Sequence, residues 1–400
     1  MRGDMDRRAI ATLSAGHGGV DFASGAIPAL IPFLVAEFDL GYAAAGLLLL
    51  AVTASSSLVQ PVFGLWSDRR GALWLLPGGL ALAAVGTGLI GVAQSFAAVV
   101  ALAFAAGLGI AAYHPEGAKF AAYASHRRRA SGMSLFNVGG NLGYALGPIV
   151  VTPLVLWLGL AGGMVAAVPA LVVAAGLVRA LPRLAKLRPA GEVQREGAGE
   201  NRSGAMAILV GVIALRSVAW FALLAFVPLW IVSQGGSKAQ GNRELSLMLV
   251  AGVAGTVLLG PVADRVGLRR TLVVTQALLP PLILVFLEVG GAVGTVALMG
   301  VGFCVVGTFG ITIVLSQLYL PRNTGMASGL AVGLAMGIGG VAAVVLGGVA
   351  DAIDLKAALV LAALAPALGV VFSLLLPSPR PRLTAHAAGA SPSATASPFV

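Results

Sequence analysis

The chain has 400 residues, 58% of them hydrophobic and only 10% charged, with a mean hydropathy of +0.97 and a formal net charge of +10. A soluble domain carries roughly 25% charged residues, so a water-solvated globule of this size is excluded. A disulfide framework or thiolate metal cluster is excluded too, because Cys304 is the one cysteine.

Read from the N-terminus, Met1 to Arg8 carries three arginines and two aspartates. No short apolar core with a small-residue cleavage site follows, so no signal peptide is expected. Apolar runs of about 20 residues suffice to cross the hydrocarbon core. They fall near 9–36, 44–66, 72–93, 97–121, 131–154 and 157–179, then near 205–233, 244–263, 271–290, 292–317, 325–348 and 356–376. The pattern predicts an all-α integral membrane fold of twelve transmembrane helices. A polar linker, 182–204, separates a six-helix half at 1–181 from a second at 205–376. The Pro-, Ser- and Ala-rich tail, 377–400, is expected to be disordered.

Lys and Arg collect in cytoplasmic loops. With the N-terminus inside, 20 of the 25 fall in cytoplasmic segments. Lys238, Arg243 and Lys356 fall in outer segments, while Lys119 and Arg216 lie within the membrane. Both termini are expected in the cytoplasm, and the basic balance is explained without nucleic acid.

The halves repeat. Gly64-Leu-Trp-Ser-Asp68-Arg69-Arg70-Gly71 recurs 196 residues later as Gly260-Pro-Val-Ala-Asp264-Arg265-Val-Gly267, and Ala130-Ser-Gly-Met133 recurs as Ala327-Ser-Gly-Leu330. Gly64 and Gly260 let two helices touch at the membrane face, and Gly71 and Gly267 permit a tight turn. Asp68 with Arg69, and Asp264 with Arg265, suit a latch made in one conformation and broken in another. The simpler alternative is a basic loop that only sets topology. This loop resembles the cytoplasmic signature of the major facilitator superfamily, which implies two pseudo-symmetric halves around a central path. On the fifth run, Gly143, Gly147 and Pro148 resemble part of the antiporter motif of drug-exporting facilitators; Val151 and Thr152 stand where that motif continues in glycine. Without the resemblance, the same residues make a close-packing helix face with a proline bend.

Ionisable residues inside the membrane are costly and point to function. His17 and Asp21 lie one turn apart on one face of the first run. His114, Glu116 and Lys119 fall on the fourth run and Arg216 on the seventh. Three readings stand. Asp21 and Glu116 take up protons, with His17, His114 and Lys119 tuning them and Arg216 attracting a carboxylate or an anionic substrate. Alternatively, the groups are fixed ion pairs holding helices in register. In the third reading His17, Asp21, His114 and Glu116 bind a divalent metal. Gln60, Asn137, Asn141 and Trp220 are weaker candidates for lining a substrate pocket, since a polar group at mid-bilayer needs a partner or water.

The segments His17-Gly-Gly-Val-Asp21, Ile27-Pro-Ala-Leu-Ile-Pro32, Ser56-Ser-Leu-Val-Gln60-Pro61 and His114-Pro115-Glu116 resemble the fosmidomycin-resistance family of facilitator exporters. Ser134-Leu-Phe136-Asn-Val-Gly-Gly140-Asn141 and Arg216 do so too. The resemblance implies a bacterial inner-membrane exporter exchanging drug for protons, with His17, Asp21, His114, Glu116 and Arg216 at functional positions. The partners expected are a small-molecule substrate, protons and the lipid bilayer, for a monomer without cofactor or resident metal. No phosphate-binding loop or serine-hydrolase elbow points to an enzyme. The rival transport reading is a proton-coupled importer of an organic anion or sugar phosphate.

Overall fold

The computed structural model describes residues 5–70, 72–126, 128–187 and 200–378, with the side chains of residues 68–70, 129, 130, 324, 325, 328, 332, 334 and 335 outside that description. The linker residues 188–199, the tail from 379 onward and Gly71 also lie outside the described residues.

The first half holds six spans: Arg7–Phe38, Tyr42–Arg70, Leu75–Val92, Phe96–Ser125, Arg129–Leu158 and Gly162–Ala185. The second half holds Ser203–Ser233, Lys238–Val266, Leu268–Val289, Gly291–Tyr319, Thr324–Ala352 and Leu355–Leu375. Among the described residues eleven helices are long and apolar enough to cross a membrane; the eleventh in chain order, interrupted before its shorter apolar stretch Met336–Ala352, makes the twelfth, and no strand occurs. Two spans are not the uninterrupted helices expected. The tenth breaks at Thr308, and the eleventh passes through a π-helical turn at Leu330–Leu334. Most spans also run past the apolar limits, because caps rather than hydropathy end them. Asp6 accepts from the Ala9 N–H at 3.1 Å, Ser95 from that of Ala98 at 3.2 Å, and Asp354 from that of Ala357 at 2.7 Å.

Prolines sit inside several spans, among them Pro28, Pro115, Pro148 and Pro228. Neighbouring helices at membrane depth can re-satisfy the backbone groups they free. Large apolar side chains point outward, such as Val172 at 66% exposure and Val296 at 67%. Water would penalise such a surface and lipid does not.

The pairings inside one half recur in the other. The first span packs on the fifth and the seventh on the eleventh; the second packs on the fourth and the eighth on the tenth; the third packs on the sixth and the ninth on the twelfth. Even the entry bonds match. Asp6 N–H donates to Ala124 O at 2.9 Å, and Arg202 N–H, 196 residues on, donates to Tyr319 O at 2.7 Å.

The halves meet along two seams, the second span on the eleventh and the fifth on the eighth. At the end away from the termini both seams carry hydrogen bonds between the halves. Asp351 accepts from the N–H of Tyr42 at 2.7 Å and of Ala43 at 2.9 Å, so a carboxylate of one half caps a helix of the other. Buried Asn242 donates to Ala29 O at 2.8 Å and to Thr152 Oγ1 at 2.9 Å. Toward the end carrying the termini and the repeated loops, the second span emerges from packing. Ser57 is buried, but Leu58, Val62 and Leu65 are 75%, 59% and 59% exposed. The second span is thus joined to the other half at the Asp351 end and more exposed toward the loop end.

Candidate functional site

The first and fifth spans approach closely because glycines face each other. A Cβ at Gly143 would collide with the backbone of Gly18, and one at Gly25 with that of Tyr144. This contact sets the rotation of the first span, and with it the direction of His17 and Asp21. Gly140 then forms the floor of the site: a Cβ there would lie 2.5 Å from Asp21 Oδ2 and 2.6 Å from His17 Nε2.

Asp21 stands between two imidazoles. His17 Nε2 is 3.3 Å from Oδ2, and His114 Nε2, arriving from the fourth span, is 3.2 Å from Oδ1. Each ring is anchored through its other nitrogen. His17 Nδ1 lies 2.8 Å from Phe136 O, and His114 Nδ1 lies 2.9 Å from Ile110 O. His17 also stacks on Phe136, with ring centroids 4.1 Å apart. Tyr113 donates its hydroxyl to Leu13 O at 2.7 Å, tying the fourth span to the first beside the cluster.

Glu116 and Lys119 are not part of this cluster. Glu116 is fully buried and paired to Lys119 at 2.8 Å, and both bond to Ser67 at the end of the second span, next to Asp68. Of the four donors grouped in the metal reading, only His17, Asp21 and His114 converge, with ligand atoms within 4.8 Å of one another. Each imidazole faces its own carboxylate oxygen, which is the geometry of two separate N···O pairs.

In the second half, Arg216 occupies the comparable depth of the seventh span. It is 2% exposed and donates through Nη1 to Thr308 Oγ1 at 2.7 Å, at the break in the tenth span. The guanidinium carbon lies 4.7 Å from the Phe309 ring centroid. Its Nε has no partner, and no carboxylate pairs with it among the described residues. A buried, uncompensated cation is expensive and attracts an anion.

The remaining candidates scatter. Asn141 donates to Thr256 Oγ1 at 3.2 Å across the fifth–eighth seam. Trp220 is buried in the core, Gln60 is half-buried and Asn137 exposed. Gly64 lies beside Pro115, with 3.7 Å between a notional Cβ and the proline's. Asp264 and Arg265 are exposed and make no ion pair among the described residues; Gly260 has open space, and Gly267 has φ 104, the left-handed turn its position required. Gly147 packs on the backbone of Gly25, beside buried Pro148. Thr308, Asn242 and Asp351 carry no motif in the sequence; Thr308 alone lies near the stretch that matches His114 by the repeat offset.

The family model of the Major Facilitator Superfamily matches residues 13–343. The fosmidomycin resistance protein of Escherichia coli (strain K12) is 31% identical over 355 residues, covering 87% of each chain. The transporter YfnC of Bacillus subtilis (strain 168), an uncharacterized MFS-type protein, is 32% identical over 349 residues, covering 84% of each. Among solved structures, the nucleoside transporter NupG superposes with a TM-score of 0.76 at 10% identity, covering 92% of this chain and 99% of its own. A bacterial homologue of the human lysosomal transporter Spinster, inward-facing and occupied, gives 0.72 at 15% identity, covering 94% and 96%. With the repeated loop, the paired halves and this match across most of its length, the chain belongs to the major facilitator superfamily.

Proposed function

We propose that this transporter is a proton-coupled antiporter that exports a small molecule across the bacterial inner membrane by alternating access. The observation that carries the reading is the Asp21 carboxylate held at mid-depth between His17 and His114, a group able to take up and release protons inside the membrane. Arg216, buried without a counter-charge in the opposite half, supports a substrate that bears an anionic group. The similarity to a protein named for fosmidomycin resistance favours export. The distribution of Lys and Arg supports a cytoplasmic loop end with both termini there, and on that reading substrate loads from the loop end. Glu116 and Lys119, bonded to Ser67, act as a tether between the fourth span and the first repeated loop, which latches and releases as the halves rock. The protein works as a monomer in this reading.

The test is transport in inverted membrane vesicles with an imposed proton gradient, using fosmidomycin and a panel of organic anions. Wild-type vesicles accumulate a compound when the interior is acid, and Asp21→Asn, inserted to the same level, does not. Full gradient-driven accumulation by Asp21→Asn overturns the coupling assignment. Accumulation only with the opposite gradient favours the importer of an organic anion or sugar phosphate, for which unpaired Arg216 is the motivating observation.

A further inference from the structure

We infer that the Asp21 cluster is a two-proton store, which rests on the proton-coupled reading and adds its count. A backbone carbonyl can only accept a hydrogen bond. His17 Nδ1 at 2.8 Å from Phe136 O and His114 Nδ1 at 2.9 Å from Ile110 O must therefore each carry hydrogen while those contacts persist. In a neutral imidazole the other nitrogen is then a bare lone pair. Both bare positions face carboxylate oxygens, Nε2 of His17 toward Oδ2 at 3.3 Å and Nε2 of His114 toward Oδ1 at 3.2 Å.

A lone pair does not attract a carboxylate oxygen, so each contact is held by a hydrogen between the two atoms. The contacts use different oxygens of Asp21, and one proton cannot serve both. The observed arrangement is the loaded state: two protons beyond the two on Nδ1, giving one carboxylate between two imidazolium rings and a local charge of +1. Loading takes two protons from water, one onto each Nε2, and breaks no other bond. Release returns both to water and leaves −1, with both rings facing Asp21 through lone pairs and free to part from it.

The surrounding groups do not supply these protons. On the fourth span the Tyr113 hydroxyl is committed to Leu13 O, and Glu116 and Lys119 to Ser67. On the fifth span Tyr144 is the titratable group within electrostatic reach of Asp21, and Gly140 contributes no side chain. Arg216 is bonded to Thr308 in the other half. Water reaches the site past His114 and Asp21, whose side chains are 24% and 18% exposed against 9% for His17.

The chain has four histidines, so ring-¹⁵N-histidine labelling of the full-length protein in lipid nanodiscs resolves them. His17 and His114 are assigned by single His→Gln variants, with His126 and His386 as references. The expected spectra show Nδ1–H on both rings at every pH. Both Nε2 protons are present at low pH and lost over the same interval as pH rises. Proton release measured on a pH jump should exceed that of the His17→Gln/Asp21→Asn/His114→Gln triple variant, whose site carries no titratable group, by two per chain. An Nε2–H tautomer on either neutral ring, or an excess of one proton, overturns the inference. Two-proton release in a protein whose transport ignores the gradient removes the coupling proposal and leaves the store. Gradient-driven transport with one-proton release does the reverse.

Discussion

The first and fourth spans, and the seventh and tenth that repeat them, fold alike but bury different ionisable groups. In the first half an aspartate sits between two histidines, within a self-contained polar group whose members face one another. In the second half Arg216 is more deeply enclosed and, among the described residues, is held by a threonine hydroxyl and an aromatic face. In the function proposed above, the first site holds protons and the second awaits something negative. On that proposal one duplicated scaffold carries two tasks through differences at a few inward positions, one for the coupling ion and one for the cargo.

The sharpest way to break this contrast is to neutralise the second half alone. Arg216→Gln is expected to weaken anionic substrate binding by about 3 kcal/mol, on the order of 100-fold in apparent affinity. Arg216→Lys should recover part of that, and proton release on a pH jump should be unchanged in both. Equal loss of proton release would mean that the two sites are one.

The first half can be disturbed without altering any ionisable group. Gly140→Ala puts a methyl against Asp21 and His17 and should cost about 2 kcal/mol of strain at the cluster, roughly 30-fold in gradient-driven transport. Transport unaffected by this change would show that the cluster geometry does not matter.

The seam between halves offers a smaller effect. Asp351→Ala removes the cap on the second span and should shift the balance toward opening at that end by about 1 kcal/mol, roughly five-fold. Labelling of a cysteine introduced beside Tyr42, in a Cys304→Ser background, reads the shift; faster labelling is expected.

The smallest concerns the entry of the first span, where the second half has Arg202 in place of Asp6. Partial burial pushes the Asp6 carboxyl up, but hydrogen bonds and charge from Arg183, together with the Ala9 and Arg8 N–H groups, outweigh it and hold it below the usual carboxylate range. Because the folded value is depressed, this contribution is present above the unfolded pKa and fades as pH falls through the folded one. Asp6→Asn should lower thermal stability by less than about 1 kcal/mol at neutral pH and have no effect in strong acid.

Much of this was readable along the chain. Span count and duplication followed from apolar run lengths and the repeated Gly-x-x-x-Asp-Arg loop. His17, Asp21 and His114 stood out because ionisable groups are rare in lipid. Glu116 was equally conspicuous but lies elsewhere, since two residues of helix beyond His114 turn it toward Ser67 and the loop. Asp351 and Asn242 were invisible as functional candidates: nothing in their neighbourhood marks them, and their partners lie in the other half, between 90 and 309 residues away.

The sequence by itself determined the solvent, the number of crossings, the twofold repeat and the short inventory of buried charge, because each follows from hydropathy and spacing along one helix. Tertiary structure alone decided which charges meet, which nitrogen of each imidazole faces Asp21 and at which end the second span is joined to the other half. Those outcomes depend on how glycine faces set the rotation and approach of helices from different parts of the chain, a property that no single span carries.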